Sequence, residues 1–455
     1  MTDALLRALP RATTLATGAL LLWTSAAAAQ TEARRLTLAE ARDVALSGNP
    51  AMHIGSEAVI AAQARRRQAR AARLPQIALS AQYARLSNVP PSDVTLPSPP
   101  FPSPVVVQIA PTILNNYRAD ATAAQPLFTG FRLANSERAA AYLATAATAD
   151  LQATGADLVY SVDNAYWSLY DARAAQGVIT ESVRLTEAYL ADVRRMREVG
   201  LMTEEDVLGV EVRLSEARLR LVQVDQAAEV AEAALANLLS LPPESHIALA
   251  DTPRVLTQEA PSLDELRRLA LDRRPELHAT VQRTQAAERQ VAVEHGGRLP
   301  TIALVADYQV SRPNQRFFPS VDEWKSAWSL AMGMTWTAWD WGIVSGREAQ
   351  AEAQARQADE GERQLRQAIA LQVVQSRAVL VDASRRIDLA NETIRQAEEH
   401  YRGLRERSVV GMATSTDVMD AEVSLEGARL SLVQALTDQQ VAWSGLERAT
   451  GGTLP

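Results

Sequence analysis

Two long spans of this chain contain no proline. The first runs from Leu127 to Leu241 and the second from Ser320 to Leu454, although the 455 residues include 21 prolines. Because a proline inside a helix costs about 3 kcal/mol, proline-free spans of this length indicate very long helices. Eight of the prolines instead crowd into residues 90–111, which we expect to form a loop.

The chain is also an internal repeat. Residues 38–83 align with residues 263–308 without a gap, at an offset of 225. Beyond residue 199 the offset is 211, so the first half carries extra length, which falls in the proline-rich segment. Two homologous halves predict the same set of elements twice. We place the first repeat at residues 30–240, an inter-repeat linker at 241–261 and the second repeat at 262–455.

Apolar and polar residues alternate in three segments, which predicts strands at about residues 75–87, 300–311 and 327–338. A fourth strand is predicted at about 117–127 as the first-half counterpart of 327–338, although this segment is mostly alanine and its alternation is much weaker. The segment at 327–338 is the most apolar, has a Trp at each end, and is about as long as a tilted membrane strand needs to be. We expect its apolar face to contact lipid, and that face consists of Trp328, Leu330, Met332, Met334 and Trp336.

Long helices follow the strands in both halves. We predict helices at residues 131–197, 204–240, 342–408 and 415–450. In the second helix of each pair, apolar residues recur in alternating steps of three and four, which is the period of supercoiled helices. A helix of about 67 residues is roughly 100 Å long, and two shorter helices stacked end to end would match it. This arrangement predicts a tube wall of uniform height, although a soluble helical bundle has the same periodicity.

Four strands cannot close a barrel in a membrane. Every backbone polar group in lipid must be paired, and the smallest membrane barrels have about eight strands. The chain must therefore associate with copies of itself, and the strand count alone does not decide between two copies and three. No stretch after the N-terminal region approaches the ~18 apolar residues that a spanning helix needs.

Residues 1–29 have the organisation of a secretory signal peptide. Arg7 and Arg11 precede a short uncharged stretch, which ends in small residues at Ala29, where we expect cleavage. The net charge of −8 argues against a nucleic-acid partner. The absence of cysteine excludes disulfides, Cys-ligated metals and a lipidated N-terminal Cys. Because the five histidines lack metal-ligand spacing and no phosphate loop or nucleophile elbow is present, we predict no metal, no cofactor and no enzymatic activity.

An ordered set of short motifs resembles the TolC-type outer-membrane efflux family, specifically its non-lipidated members. The motifs extend over almost the whole chain after the signal peptide and comprise Leu36-Thr37-Leu38-Ala39-Glu40-Ala41, Asn49-Pro50, Leu74-Pro75, Gln125-Pro126-Leu127-Phe128-Thr129-Gly130 and the Val-Gly turn of each half. The resemblance implies a mainly α fold with a membrane β-barrel. In it, three chains with four strands each would form a 12-stranded barrel in the outer membrane, above an α-barrel of coiled-coil-like helices in the periplasm.

The resemblance also implies a function and partners. The homotrimer would be the passive exit duct of a tripartite pump that exports small molecules. A periplasmic adaptor would connect it to an inner-membrane RND or ABC transporter. Two alternatives stay open from the residues, namely the outer-membrane component of a type I protein secretion system and a soluble periplasmic coiled-coil scaffold or adaptor. The apolar face of the strand at 327–338 argues against the soluble alternative, because it would be exposed to water.

The turns between paired helices match the family's hairpin tips, to which adaptors bind. The matching residues are Val199, Gly200, Leu201 and Thr203 in the first half, and Val410, Gly411, Met412 and Thr414 in the second. Each glycine is expected to end a helix in the left-handed conformation. Thr203 and Thr414 are expected to be N-caps, with Asp206 and Asp417 completing capping boxes.

Three aspartates are candidates for a periplasmic entrance or gate. Asp417 and Asp420 lie one helical turn apart, where the family carries an acidic ring, and Asp206 matches the family's gating aspartate. A solvated helix face explains Asp417 and Asp420 equally well, and helix capping alone explains Asp206. The positions at which the resemblance implies a gate Tyr and Arg hold Ser408 and Ala413, which argues against a salt-bridge latch here.

Overall fold

A computed structural model describes residues 34–88, 92–96, 105–110, 113–258 and 260–454 of the chain. The predicted signal peptide at residues 1–29 lies outside these residues. The helices of the described residues are α1 (Leu38–Gly48), α2 (Pro50–Ala71), α3 (Arg132–Glu198), α4 (Glu204–Leu238), α5 (Leu263–Arg273), α6 (Pro275–His295), α7 (Ile343–Val409) and α8 (Ser415–Thr450). The strands are β1 (Arg34–Leu36), β2 (Gln76–Arg85), β3 (Ser92–Leu96), β4 (Val105–Ala110), β5 (Asn115–Phe128), β6 (Ile247–Leu249), β7 (Thr301–Arg312) and β8 (Lys325–Thr335).

The two long helices α3 and α7 have 67 residues each, and neither contains proline. The seam positions of α4 and α8, which recur in steps of three and four, are all buried or half-buried. One of them, Gln439 in α8, is polar and fully buried. Its amide donates to the Leu256 carbonyl and the Ser384 hydroxyl, and its carbonyl accepts from the Leu256 N–H at 2.9 Å. These contacts satisfy the one polar side chain in an otherwise apolar seam.

The contacts of the chain divide it into two compact units, and each unit draws segments from both sequence halves. Counting only the described residues within each range, the first contains those up to Ala45, those in Val162–Arg254 and those in Ile387–Thr437. The second contains those in Leu46–Ser161, in Val255–Arg386 and from Asp438 onward. The helix-hairpin turns belong to the first unit, and the strands β2, β5, β7 and β8 belong to the second.

A small parallel sheet in the first unit was not predicted from the sequence. Strand β1 pairs with β6, which lies in the segment that the sequence suggested was a linker. Tyr166 on α3 secures this sheet, because its hydroxyl donates to the Leu36 carbonyl at 3.1 Å and accepts from the Asp251 N–H at 3.1 Å. Strands of three residues are too short for a period-two pattern to reveal them.

The second unit contains a four-stranded antiparallel sheet in the order β2-β5-β7-β8. Its register places most of the larger apolar residues on one face, since Leu79 pairs with Ala121, Ala121 with Tyr308, and Tyr308 with Trp328. The other face is polar, and Thr122 there donates to Asp307 at 3.0 Å. Because a one-residue slip would exchange the two faces, this register preserves the sidedness expected from the sequence.

The prediction of a loop across residues 90–111 is wrong in part. Strands β3 and β4 lie within that segment and pair antiparallel. Neither strand contains a proline, because the eight prolines of the segment occupy the positions around them. A proline-free run that includes three consecutive valines can donate its backbone N–H groups to a ladder, which proline cannot.

Candidate functional site

Each hairpin turn is built around a glycine in the left-handed conformation. Gly200 has φ 78° and Gly411 has φ 72°, a region that favours glycine because it lacks a Cβ. The N–H of Leu201 donates to the Met196 carbonyl, and the N–H of Met412 donates to the Arg407 carbonyl, both at 2.9 Å. Together with the bonds that the two glycine N–H groups donate, these contacts form a Schellman motif at the end of α3 and another at the end of α7.

The predicted capping boxes are present at the starts of α4 and α8. The N–H of Thr203 donates to Asp206 Oδ2 at 3.0 Å, and the N–H of Asp206 donates back to Thr203 Oγ1 at 3.2 Å. Thr414 and Asp417 exchange the same two bonds at 2.9 and 3.1 Å. Two turns with the same backbone bonds and the same caps therefore end the two hairpins.

Apolar side chains surround both turns and are open to solvent in the single chain. Val199 is 71% exposed and Val410 67%, whereas the N-capping threonines direct their hydroxyls to the helix starts. The other exposed apolar residues of the turns are Leu201 and Met412. Exposed apolar residues of this size on two short turns are typical of a contact surface.

Asp206 makes a contact between the hairpins that Asp417 does not make within the part of the chain that the structure describes. Its Oδ1 accepts a bond of 2.7 Å from the hydroxyl of Ser415, the first residue of α8. This bond, followed by those from Thr203, holds the pKa of Asp206 below its ordinary value. The pKa of Asp417 is also lowered, and here the hydrogen bonds responsible come from the side chain and backbone of Thr414. Asp206 thus joins the start of α4 to the start of α8.

Asp420 is exposed and pairs with an arginine of the other hairpin. Arg213 on α4 donates to Asp420 Oδ1 at 3.1 Å and to Glu216 Oε2 at 3.3 Å. The Asp420 side chain is 62% exposed, so the pair is solvated and weak. Asp417 and Asp420 are therefore both accessible, although Arg213 offsets part of the Asp420 charge.

Ser408 lies where the resemblance implies a gate tyrosine. It is buried on α7, and its hydroxyl is 3.0 Å from the hydroxyl of Tyr189 on α3. Burial raises the pKa of Tyr189, so the phenol remains neutral at physiological pH. A neutral hydroxyl pair therefore connects the two long helices at this level, in a position where the family pattern would have a tyrosine.

The predicted lipid-facing residues are exposed on the edge strand β8. Trp328, Leu330, Met332 and Met334 share the apolar face, and each is at least 61% exposed. Trp336 lies one residue beyond the end of the strand, which begins two residues before the predicted 327–338 and ends three residues before its end. The indole N–H of Trp336 donates to the Arg298 carbonyl at 3.1 Å.

Several residues of the site were not predicted from the sequence. Ser415 and Arg213 contact two of the predicted aspartates, and neither carries a motif of its own. Both contacts join α4 to α8, so they depend on which helices become neighbours. Repeat alignment shows equivalent positions but not the partner that each position meets.

Neither metal binding nor a helical membrane span is indicated in the part of the chain that the structure describes. It contains no group of three or more His, Cys, Asp or Glu residues placed to hold a metal ion. None of its helices is both long and apolar enough to cross a bilayer.

The chain matches known proteins over both halves. A family model described as "Outer membrane efflux protein" matches residues 41–240 and 266–452. The outer membrane efflux protein BepC of Brucella suis is 28% identical over 72% of this chain and 70% of BepC. Protein CyaE of Bordetella pertussis is 30% identical over 62% of this chain and 56% of CyaE.

The fold matches solved outer-membrane channels. The crystal structure of the outer membrane protein VceC from Vibrio cholerae superposes with a TM-score of 0.75 at 19% identity, covering 91% of this chain and 96% of VceC. The outer-membrane channel OprN superposes with a TM-score of 0.76 at 21% identity, over 91% and 90% of the two chains. The chain therefore belongs to the outer membrane efflux protein family, and it is an outer-membrane transport protein.

Proposed function

We propose that three copies of this chain close one 12-stranded barrel and form a passive exit duct for small molecules. The observation that supports this most is the four-stranded sheet, whose strands share one continuous apolar face. Strands β2 and β8 each have a single neighbour among the described residues. Because unpaired strand edges are not tolerated in lipid, the two edges need partners from other copies.

The order of the strands is compatible with such closure. Successive strands of the sheet are antiparallel, so β8 of one copy would lie antiparallel to β2 of the next. Two copies would supply eight strands and three would supply 12, and both even numbers suit bacterial barrels. Similarity to the trimeric family that the sequence resembles favours three. The apolar face would then contact outer-membrane lipid, and the polar face with Thr122 and Asp307 would line water.

We further propose that the two hairpin turns bind a periplasmic adaptor. Each chain presents two turns of the same geometry, so a trimer would present six. Their exposed apolar residues and helix-ending glycines form small, rigid contact surfaces, which the hairpin of an adaptor could pack against. An inner-membrane RND or ABC transporter, bound through the adaptor, would supply the energy for export.

The aspartates at the start of α8 would line the periplasmic entrance. Asp417 and Asp420 from three chains would place six carboxylates around the aperture, which favours cations and repels anions. Asp206 acts differently, because its bond to Ser415 holds the first hairpin to the second. Opening the duct would break that bond and the Tyr189–Ser408 contact in each chain, in place of a salt-bridge latch.

Native mass spectrometry of the protein extracted from the outer membrane in mild detergent tests the assembly. We expect a complex with the mass of three mature chains. A monomer recovered from the soluble periplasmic fraction would contradict the barrel and would support the soluble scaffold. Export of small molecules, as opposed to type I protein secretion, is tested by drug susceptibility and protein secretion in a deletion strain.

A matched pair of substitutions tests the sidedness of the sheet. Leu330→Lys places a charge on the apolar face of β8, and Ser329→Lys places the same charge one residue away on the polar face. A Lys facing lipid near the bilayer centre costs about 2–4 kcal/mol. We expect Leu330→Lys to reduce the yield of outer-membrane trimer strongly and Ser329→Lys to leave it close to normal. Equal yields from both variants would show that β8 does not face lipid.

A further inference from the structure

Two carboxylates lie buried around one serine hydroxyl in the first unit. Ser182 Oγ on α3 is 2.5 Å from Glu422 Oε1 and 2.6 Å from Glu426 Oε2, both on α8. All three residues are less than 8% exposed. Arg220 on α4 donates to the same Glu426 oxygen at 3.2 Å. This cluster is separate from the hairpin turns, from the four-stranded sheet and from the aspartates of the proposed entrance.

The short distances in the cluster determine how many hydrogens it must hold. A serine hydroxyl carries one hydrogen, so it can donate to only one of the two carboxylates. The second carboxyl can remain within 2.6 Å of the hydroxyl oxygen only if it brings a hydrogen of its own, since two oxygens without one repel each other. Distances of 2.5–2.7 Å are typical of O–H···O bonds in which one partner is charged. The geometry therefore requires one proton on the pair of glutamates.

The surroundings identify which glutamate holds the proton. Glu426 accepts from Arg220, and a guanidinium stabilises an ionised carboxylate. Glu422 has no arginine within ion-pair distance among the described residues, and burial, aided by the charge of Glu426, raises its pKa. The proton chain then runs from Glu422 to the Ser182 oxygen, and from the Ser182 hydroxyl to Glu426.

Charged and titratable groups approach the cluster from every helix around it. Arg220 of α4 and Arg429 of α8 favour the ionised form of Glu422, whereas Glu426 opposes it. From α7, Tyr401 is buried with a hydroxyl that has no hydrogen-bond partner among the described residues, and burial raises its pKa. The charges of Arg405 on α7 and Arg184 on α3 act on Tyr401. Burial and the charge of Glu426 outweigh the two arginines at Glu422, so the pKa of Glu422 lies above its ordinary value.

The first half of the chain has the same carboxylate in a different setting. Glu211 is the repeat counterpart of Glu422, and its side chain is 40% exposed and bonded to Arg194 at 2.6 Å. Arg405 is the counterpart of Arg194, but it contacts Asp192 and not Glu422. Among the described residues, Glu422 thus shares a hydroxyl with another acid, whereas Glu211 pairs with an arginine.

We propose that Glu422, Ser182, Glu426 and Arg220 form a buried proton-binding site that couples the packing of α8 on α3 to pH. With the proton bound, Ser182 joins both glutamates. Without it, two negative charges one helical turn apart face one hydroxyl, and one of them loses its bond. A folded-state pKa above the unfolded value means that this stabilisation is complete below the ordinary glutamate pKa of 4.5 and is lost as the pH rises through the raised value.

Infrared spectroscopy of the purified, membrane-extracted protein tests whether the proton is there. Carboxyl groups with ordinary pKa values are ionised above about pH 6, so an acid that is still protonated there gives a separate carbonyl band. We expect this band in the unsubstituted protein and in Glu211→Gln, and its loss in Glu422→Gln. A spectrum without the band, or a band that Glu422→Gln leaves unchanged, would overturn the proposal.

Hydrogen–deuterium exchange at matched pH tests the coupling to packing. For peptides that contain Ser182 or Glu422, we expect Glu422→Gln and the unsubstituted protein to exchange equally at about pH 4, below the ordinary glutamate pKa. Above it the unsubstituted protein should exchange progressively faster than the variant, by up to tenfold per pH unit. Glu426→Gln, which deprives Arg220 of its carboxylate, should instead exchange faster at every pH. Equal behaviour of the two Gln variants, or a ratio that does not change with pH, would refute the coupling.

Discussion

The two helix hairpins have the same backbone plan but different interiors. Helices α3 and α7 have the same length, and both end in a Schellman motif that is followed by a capped helix. Inside, the equivalent carboxylates Glu211 and Glu422 have opposite environments. Glu211 is half-exposed and paired with an arginine, whereas Glu422 is buried against a serine and a second acid.

The comparison shows which features a repeat conserves. Turn geometry depends on residues within the same hairpin, so both halves retain it. Side-chain pairing depends on the neighbouring hairpin, which differs for each half, so equivalent positions acquire different partners. Asp206 meets Ser415 in this way, while the hydrogen bonds of Asp417 within the described residues are those with Thr414 of its own helix cap.

The largest expected difference between the hairpins concerns their arginines. Arg220→Ala would leave the buried Glu426 without its charged donor, which we expect to reduce the free energy of unfolding by about 2 kcal/mol, since a buried carboxylate that loses a hydrogen-bond donor keeps the cost of its desolvation. Arg194→Ala breaks a solvated pair and should cost less than about 1 kcal/mol. Guanidinium unfolding of both variants measures the difference. Similar losses would mean that the two carboxylates have similar environments after all.

The two turns should respond to substitution alike. Gly200→Ala and Gly411→Ala each force a Cβ into the left-handed region, at a cost of about 1–2 kcal/mol. Gly209→Ala is the control, because Gly209 lies within α4 with open space around it, and alanine there should stabilise the helix by about 0.5–1 kcal/mol. Thermal unfolding of the three variants tests this. A large difference in stability between Gly200→Ala and Gly411→Ala would show that the two turns do not have the same surroundings.

Most of the architecture could be predicted from the sequence because it is local. The absence of proline over the two long spans predicts α3 and α7, and period-two alternation predicts the strands of the four-stranded sheet. The capping boxes could be predicted because Thr203 and Asp206 are three residues apart. The pairing of β3 with β4 could not be predicted, because the two strands are short and the many prolines around them indicate a loop.

The interior contacts could not be predicted for a physical reason. Glu422 and Glu426 are acids one turn apart, which on a helix usually indicates a solvated face. Their burial follows from the position of Ser182, which is 240 residues from Glu422 in the chain. No spacing rule connects residues that meet only because two hairpins pack together. For the same reason the sequence did not predict the roles of Ser415 and Arg213, each of which contacts a predicted aspartate on a different helix.

The aspartates of the two capping boxes should contribute different amounts to stability, and both contributions should be lost at acidic pH. Both have a lowered pKa, so each stabilises the fold above the ordinary value near 3.8, and this contribution is lost as the pH falls below it. Asp206→Asn should cost about 1 kcal/mol at neutral pH, since it weakens a cap as well as the bond from Ser415. Asp417→Asn should cost less. Thermal unfolding between about pH 3 and pH 7 compares them, and a larger loss for Asp417→Asn would contradict the role of Ser415.

The smallest expected effect on stability belongs to the pair of Arg213 and Asp420, which is exposed and should contribute less than about 1 kcal/mol. The pair should have a clearer effect on the ion selectivity of the pore. If Asp420 lines the proposed entrance, Arg213→Ala removes a neighbouring positive charge and should raise the preference of the pore for cations, whereas Asp420→Asn should lower it.

Reversal potentials in planar bilayers measure this preference, with Glu216→Gln as the control for the other partner of Arg213. Opposite shifts for the two variants would show that Asp420 is part of the aperture and that Arg213 moderates its charge. Shifts of the same sign would mean that the pair acts only by joining α4 to α8, and the acidic ring would then depend on Asp417 alone.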